Sequence, residues 1–162
     1  VLAVTQPKLI RKLVVADIAP VAYSHSQARF VSAMQATDLT GVSRRSQADQ
    51  RLAERIEDPA LRAFFLQSLA LRSDPPRWRL NLDALARGMP DIMGFPDVAG
   101  QFSGPALFLT GATSDYVLPA HRHAIKAMFL NAKFAKIPGA GHWLHAEKPT
   151  EFVAAVSAFL QG

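Results

Sequence analysis

The run IPGAGHW at residues 137–143 follows a short apolar stretch and precedes an amphipathic C-terminal segment. Glycine adopts backbone angles that are closed to other residues, so two glycines allow this loop to hold His142 at a cleft instead of in a core. An imidazole can take up a proton and return it within one reaction. The run therefore predicts a histidine loop at a functional site, against the alternative of a turn that merely contains a histidine.

Three short apolar runs predict the strands of a parallel sheet around this loop. Residues 12–17 are rich in β-branched side chains with little alternation, which is typical of a strand covered on both faces, and residues 106–110 read as a second strand. Residues 132–137 alternate like a strand nearer an edge. The sequence therefore favours an α/β fold.

Two helices are predicted beside these strands. The first begins at Pro119, and its core face consists of Ile125, Ala127, Met128 and Phe129. The second opens at Pro149 and stops at Gly162, with apolar side chains at helical spacing. The order strand, helix, strand, loop and helix describes the closing units of an α/β sheet.

Residues 21–100 change character to helices without strands. We predict helices over residues 26–34, 46–56, 59–71 and 82–89. An insertion of this size between parallel strands usually lies over the carboxyl ends of the sheet, where α/β folds bind ligands. We therefore expect residues 21–100 to form a helical cap and residues 1–20 and 101–162 to form the core. An independent helical domain without a lid role is the alternative.

Composition limits the classes of function. The 162 residues are 49% hydrophobic, which suffices for one domain with its own core, and no apolar run reaches the roughly 18 to 20 residues that cross a bilayer. The opening residues lack the pattern of a signal peptide, and the chain has no cysteine, so we expect a cytoplasmic protein without a membrane partner.

The net charge of +5 raises the question of nucleic acid binding. The densest basic group, within residues 44–55, is interspersed with acidic side chains and has no aromatic residues for base stacking. A solvated helix face explains it better, and we expect no nucleic acid partner.

The chain begins at Val1, inside a segment that reads as the end of a helix stopped by Pro7. We therefore expect an N-terminal part of the same protein to precede these residues.

Two acids could orient the imidazole of His142. Asp17 directly follows the first predicted strand, and Asp115 lies on a loop just past the second, so both are expected near the carboxyl edge of the sheet. A carboxylate there can orient an imidazole and stabilise its cation while the imidazole activates a nucleophile. A helix cap or a solvated loop acid is the alternative for either residue.

The remaining histidines do not favour a metal site. His121 and His123 are two residues apart, and His142 and His145 three apart, but no cysteine or carboxylate stands at supporting spacing. We expect no metal and no other cofactor, with His145 serving as a loop anchor.

Two aromatic side chains are candidates for the surroundings of the site. Trp143 follows His142 and is expected to pack beneath its loop, and Trp78 could line a pocket, although a large apolar residue is more often part of a core. Arg79 and Asn81 could link the cap to the site by hydrogen bonds.

Four separated segments resemble α/β-hydrolases, more narrowly the YbfF-type acyl esterases, whose mammalian relatives are mitochondrial abhydrolase-domain proteins. They are residues 15–20 (VADIAP), 78–85 (WRLNLDAL), 114–117 (SDYV) and 139–147 (GAGHWLHAE). The similarity spans essentially the whole chain. It implies the C-terminal half of an α/β-hydrolase sheet, with parallel strands, flanking helices and an α-helical cap.

The resemblance implies a serine esterase acting on small carboxylic esters or thioesters. In that family a serine on a G-x-S-x-G elbow attacks the carbonyl group, a histidine relays the proton and backbone N–H groups hold the oxyanion. This elbow would precede Val1, so we expect the present residues alone to be inactive. By resemblance, His142 is the catalytic base, and Trp143, Trp78 and Tyr116 are candidates for substrate contacts.

The resemblance also bears on the acid. In this branch the matching acid is Asp17, although many α/β-hydrolases place it where Asp115 stands. The loop from Gly111 to Asp115 has one residue more than the common G-x-x-D, which disfavours Asp115.

Two other classes remain open. One has the same fold with an aspartate nucleophile, as in dehalogenases and epoxide hydrolases, and the other is a ligand-binding protein of this fold without turnover.

Overall fold

A computed structural model describes residues 1–24 and 27–162 of the chain. The chain divides into two compact units. One consists of Val1–Ala22 and Phe95–Gly162, and the other is Tyr23–Gly94. The second unit is thus a few residues shorter at each end than the expected cap, residues 21–100.

The first unit contains a three-stranded parallel sheet. Its strands are β1 (Leu13–Ala16), β4 (Phe102–Gly111) and β5 (Phe129–Ile137), in the order β1-β4-β5. Strands β2 (Leu69–Ala70) and β3 (Arg77–Trp78) belong to the other unit. In the β4–β5 register, Gly111 is paired with Ile137. The loops that follow β4 and β5 therefore leave the sheet at the same edge.

Helices flank this sheet in the first unit. They are α1 (Leu2–Thr5), α6 (Arg122–Met128), α7 (Leu144–Glu147) and α8 (Pro149–Gln161), with short 3-10 turns at Pro7–Leu9 and Pro119–His121. Helix α1 ends before Pro7 as predicted, and α8 begins at Pro149 as predicted, because proline fits the first turn of a helix and not its interior.

The second half of β4, residues 106–111, is buried on both faces, and alternate side chains enter two different cores. Ala106 and Phe108 pack in a cluster that includes Ile125 of α6 and residues of α1, while Leu107 and Leu109 pack in another that includes residues of α7 and α8. A strand with apolar residues on both faces needs a cover on both faces. This arrangement confirms the predicted α/β class.

The described part of the second unit, residues 23–24 and 27–94, contains four helices and a small hairpin. The helices are α2 (Ala28–Gln35), α3 (Arg45–Ala53), α4 (Pro59–Leu66) and α5 (Leu82–Met93). Strands β2 (Leu69–Ala70) and β3 (Arg77–Trp78) pair in antiparallel fashion. Its core contains Met34, Leu52 and Leu69 among other buried residues. Asp58 caps α4 as predicted, since its carboxylate accepts hydrogen bonds from the first turn.

The structure corrects several predicted limits. The segment 21–100 is not free of strands, because the residues after α4 form β2 instead of extending that helix to residue 71. Helix α5 continues past residue 89 to Met93, and β4 and β5 begin earlier than residues 106 and 132. Phe129 therefore opens a strand instead of closing a helix. The predicted helix start at residue 26 lies outside the described residues.

Within the described part of the chain, no helix combines the length and hydrophobicity needed to cross a bilayer.

Candidate active site

Asp17 stands where β1 ends and is fully buried. Its φ angle of 49° lies in the left-handed region, which aspartate tolerates better than most residues with a side chain. Its N–H donates to the carbonyl oxygen of Leu109 at 2.8 Å, which continues the β1–β4 pairing for one residue. The carboxylate is therefore fixed at the carboxyl edge of the sheet by the strand that precedes it.

Three groups surround the Asp17 carboxylate. Oδ1 accepts a hydrogen bond from the N–H of Gly111 at 3.1 Å, and Oδ2 accepts one from the hydroxyl of Ser114. Nδ1 of His142 lies 2.9 Å from the same Oδ2. A buried carboxylate costs free energy unless such partners are present, and here they are.

The contact with Asp17 determines the tautomer of His142. An ionised carboxylate can only accept, so Nδ1 carries the hydrogen in the neutral ring, and Nε2 has a lone pair that can accept a proton. The side chain of His142 is 40% exposed, and no described residue forms a hydrogen bond with Nε2. The ring is thus held at one nitrogen and open at the other, which is the arrangement of a general base.

An aromatic ring covers the imidazole. Tyr116 stacks on His142 with 3.6 Å between the ring centroids and 12° between the planes. The N–H of Tyr116 donates to the hydroxyl oxygen of Ser114 at 3.2 Å, so one loop supplies both the stacking ring and a donor to Asp17. Tyr116, predicted as a substrate contact, therefore contacts the catalytic candidate itself.

The loops after β4 and β5 are joined by backbone contacts. Both the N–H and the hydroxyl of Thr113 donate to the carbonyl oxygen of Ala140, at 3.0 and 2.9 Å. A Cβ atom on Gly111 would lie 2.1 Å from the carbonyl oxygen of Gly141, so only glycine allows this approach. Gly139, with a φ angle of 68°, turns the chain into the histidine loop.

A second carboxylate holds the backbone on both sides of His142. Glu147 accepts from the N–H of Gly141 through Oε2 at 2.8 Å and from the N–H of Trp143 through Oε1 at 3.1 Å. Our reading of the sequence assigned no role to Glu147, Thr113 or Gly111. Because each acts on or through backbone groups, residue type and spacing alone gave no signal for them.

The other acid predicted for the site lies apart from the imidazole. Asp115 is exposed, and no hydrogen bond or ion pair joins it to His142. Of the two acids left open by the sequence, the structure brings only Asp17 to the ring.

Trp143 and Trp78 have different surroundings. Trp143 is half-buried directly after His142. Trp78 packs against the core of the second unit, and its indole N–H donates to the carbonyl oxygen of Met34 at 2.9 Å. The side chain of Asn81, suggested as a link between the cap and the site, caps α5 by accepting from the N–H of Ala84.

His121 and His145 have local contacts. Nδ1 of His121 accepts from the N–H of Leu118 at 3.3 Å, and the ring of His145 meets Phe152 edge-on. Over residues 1–24 and 27–162, no group of three or more histidine, cysteine, aspartate or glutamate residues is placed to hold a metal ion.

Comparison with known proteins agrees with this geometry. Residues 2–156 match the alpha/beta hydrolase family. The mouse protein named sn-1-specific diacylglycerol lipase ABHD11 is 40% identical over 166 residues, which cover 98% of this chain and 54% of the mouse protein. Esterase YbfF of Escherichia coli (strain K12) is 33% identical over 152 residues, covering 93% of this chain and 58% of that protein. A solved structure of a marine microorganism esterase is 33% identical, with a TM-score of 0.89 over 97% of this chain and 63% of that one.

The chain belongs to the alpha/beta hydrolase family. It resembles the esterases and lipases of that family, which confirms the resemblance drawn from the sequence. The chain spans about half the length of the curated relatives that it matches most strongly.

Proposed function

We propose that these residues form the acid and base half of a serine esterase, with His142 as the general base and Asp17 as the acid that orients it. The observation that carries the proposal is the 2.9 Å contact between Nδ1 of His142 and Oδ2 of a fully buried Asp17. The serine and the oxyanion hole would come from polypeptide that precedes Val1, as in the G-x-S-x-G elbow of the family.

The chemistry follows from the tautomer. Nε2 of His142 takes the proton of the serine hydroxyl as its oxygen attacks the ester carbonyl, and the imidazolium then gives this proton to the leaving alcohol or thiol. Water repeats the sequence to release the acid. The Asp17 carboxylate stabilises the imidazolium, and these steps use no metal or cofactor.

The proposed substrate class is a small carboxylic ester or thioester. The names of the relatives support ester cleavage in general, and that of the mouse protein adds diacylglycerol to the substrates to be tried. A panel of p-nitrophenyl esters of increasing chain length, one acyl thioester and a diacylglycerol would distinguish among these possibilities.

The test compares three substitutions in a polypeptide that contains these residues together with the preceding part present in the relatives. We expect His142→Ala and Asp17→Asn to lower kcat for a p-nitrophenyl ester, the latter by about four orders of magnitude, as loss of a triad carboxylate does. Asp115→Asn, the matched control, should keep kcat. Full activity in His142→Ala would disprove the assigned base, and the reverse order of the two asparagine variants would move the acid to Asp115.

Covalent labelling separates the alternatives. An alkyl fluorophosphonate should modify one serine upstream of Val1, and peptide mapping would locate it. An aspartyl ester trapped with an epoxide or haloalkane would indicate the dehalogenase and epoxide hydrolase class instead. A protein that binds acyl compounds but neither turns them over nor reacts with the phosphonate would be a binding protein of this fold.

A further inference from the structure

We propose that Glu147 is a positioning residue for His142, an inference that rests on the proposed role of His142 as the base. The hydrogen bonds of the Glu147 carboxylate go to neither the imidazole nor Asp17. Glu147 acts on the two peptide groups that flank the histidine in the chain.

The two oxygens of one carboxylate bind both neighbours of His142. Oε2 lies 2.8 Å from the N–H of Gly141, and Oε1 lies 3.1 Å from the N–H of Trp143. Hydrogen bonds to an ionised acceptor are shorter and stronger than neutral ones. A bridge across residues 141–143 therefore restricts the backbone on each side of the histidine Cα.

Glu147 is itself tied to the segment that it holds. Its own N–H donates to the carbonyl oxygen of Trp143 at 2.8 Å, so Trp143 and Glu147 bond reciprocally across the single turn of α7. Lys148 continues this turn by donating to Leu144. The carboxylate thus reaches the histidine loop from α7, the short helix that begins directly after Trp143. Only a few residues of chain separate Glu147 from His142.

The carboxylate of Glu147 lies close to Gly141, which has no side chain. A Cβ atom at Gly141 would lie 3.1 and 3.4 Å from the two carboxylate oxygens of Glu147, closer than most real Cβ contacts. On the other side of the same residue, its carbonyl oxygen faces the backbone of Gly111. The glycine before His142 is therefore held by a carboxylate at its N–H, and its carbonyl group lies close to the end of β4.

These contacts matter for the reaction because catalysis depends on small distances. A misplacement of about 1 Å can lower turnover about a hundredfold. Asp17 holds Nδ1 and Tyr116 stacks on the ring, but neither contact holds the backbone at residue 142, and a shift of that backbone would move the ring. Glu147 restricts that shift.

The experiment measures kcat and KM separately for Glu147→Ala, Glu147→Gln and the control Glu151→Ala, in the extended polypeptide. Glu151 is an exposed acid four residues further on, so its removal matches the change of charge. We expect Glu147→Ala to lower kcat about tenfold to a hundredfold, with KM changed less than about twofold. The kcat of Glu147→Gln should lie between those of the parent and Glu147→Ala, because the carboxamide oxygen can still accept from one of the two amides. Hydrogen exchange at the amides of Gly141 and Trp143 should accelerate in Glu147→Ala.

The outcomes separate this inference from the proposed function. If His142→Ala is inactive while Glu147→Ala keeps the parental kcat, or if Glu147→Ala raises KM alone, the positioning role is refuted and the esterase proposal stands. If His142→Ala keeps full activity, the proposed function itself fails. Should Glu147→Ala not fold, the nearly isosteric Glu147→Gln decides, since a parental kcat and unchanged exchange at both amides would overturn the inference.

Discussion

Gly111→Ala inserts one methyl group where β4 meets the histidine loop. The new Cβ atom would lie 2.1 Å from the carbonyl oxygen of Gly141 and 2.6 Å from that of Ala140. Both are backbone atoms, so no side chain can rotate away. The N–H of Gly111 also donates to Oδ1 of Asp17, and a displacement at this point therefore reaches both members of the acid and base pair.

The size of the effect follows from these distances. Real Cβ atoms keep at least about 3 Å from such a neighbour, so the two loops must separate by about 1 Å, and overpacking of this kind costs about 1–3 kcal/mol of unfolding free energy. A displacement of about 1 Å next to His142 should lower kcat about a hundredfold.

Gly88→Ala is the matched control, and its expected effect on stability has the opposite sign. Gly88 lies inside α5 in the second unit, and a Cβ atom there would meet nothing within 4 Å. Alanine in a helix interior is more favourable than glycine by about 0.5–1 kcal/mol, so this variant should be slightly more stable.

Urea unfolding and esterase kinetics on the extended polypeptide measure both quantities. We expect Gly111→Ala to lose stability and kcat together and Gly88→Ala to gain stability with kcat unchanged. The reasoning is refuted if Gly111→Ala unfolds at the parental urea concentration and keeps the parental kcat, because the close approach of the two loops would then have no energetic consequence.

Two further predictions concern the surroundings of the sheet. Tyr116→Leu removes the ring stacked on His142 and should lower kcat about two- to tenfold, since an aromatic pair contributes about 0.5–1.5 kcal/mol. The control Tyr116→Phe keeps the ring and should keep most of the activity. Equal kcat values in the two variants would contradict this prediction. Lys12 donates through Nζ to two carbonyl groups in the last turn of α8, at 3.1 and 2.8 Å, so Lys12→Met should cost about 1 kcal/mol of unfolding free energy. Lys133→Met, at an exposed position on β5, is the control in the same urea titration, and an equal loss in both would show that charge alone matters.

The parts of the fold that sequence predicted are those in which local pattern and tertiary environment agree. Strand β1 and helices α1 and α8 were predicted because β-branched runs, helical spacing and proline at helix ends are local signals. The hairpin of β2 and β3 was missed because strands of two residues are too short for any periodicity. Helix α5 was ended too early at Pro90, although a proline in the last turn removes only one late hydrogen bond.

The candidate site divides in the same way. Residue types that carry the chemistry, His142 and Asp17, could be found from their positions after strands. The groups that support them could not, because Glu147 and Thr113 act by hydrogen bonds to backbone atoms, which every residue type carries. The sequence also did not decide whether Asp17 or Asp115 orients the imidazole, since both follow predicted strands that end at the same edge of the sheet.

The structure gives these two acids unequal positions for a physical reason. A buried carboxylate must be surrounded by donors, and two of the donors to Asp17, the N–H of Gly111 and the hydroxyl of Ser114, belong to the very loop that carries Asp115. That loop therefore already supports one carboxylate at the edge of the sheet. Ser114 directly precedes Asp115, so a movement of this loop that brought Asp115 to the imidazole would disturb a hydrogen bond to the buried carboxylate of Asp17. The exposed position of Asp115 avoids this cost, because water solvates its carboxylate.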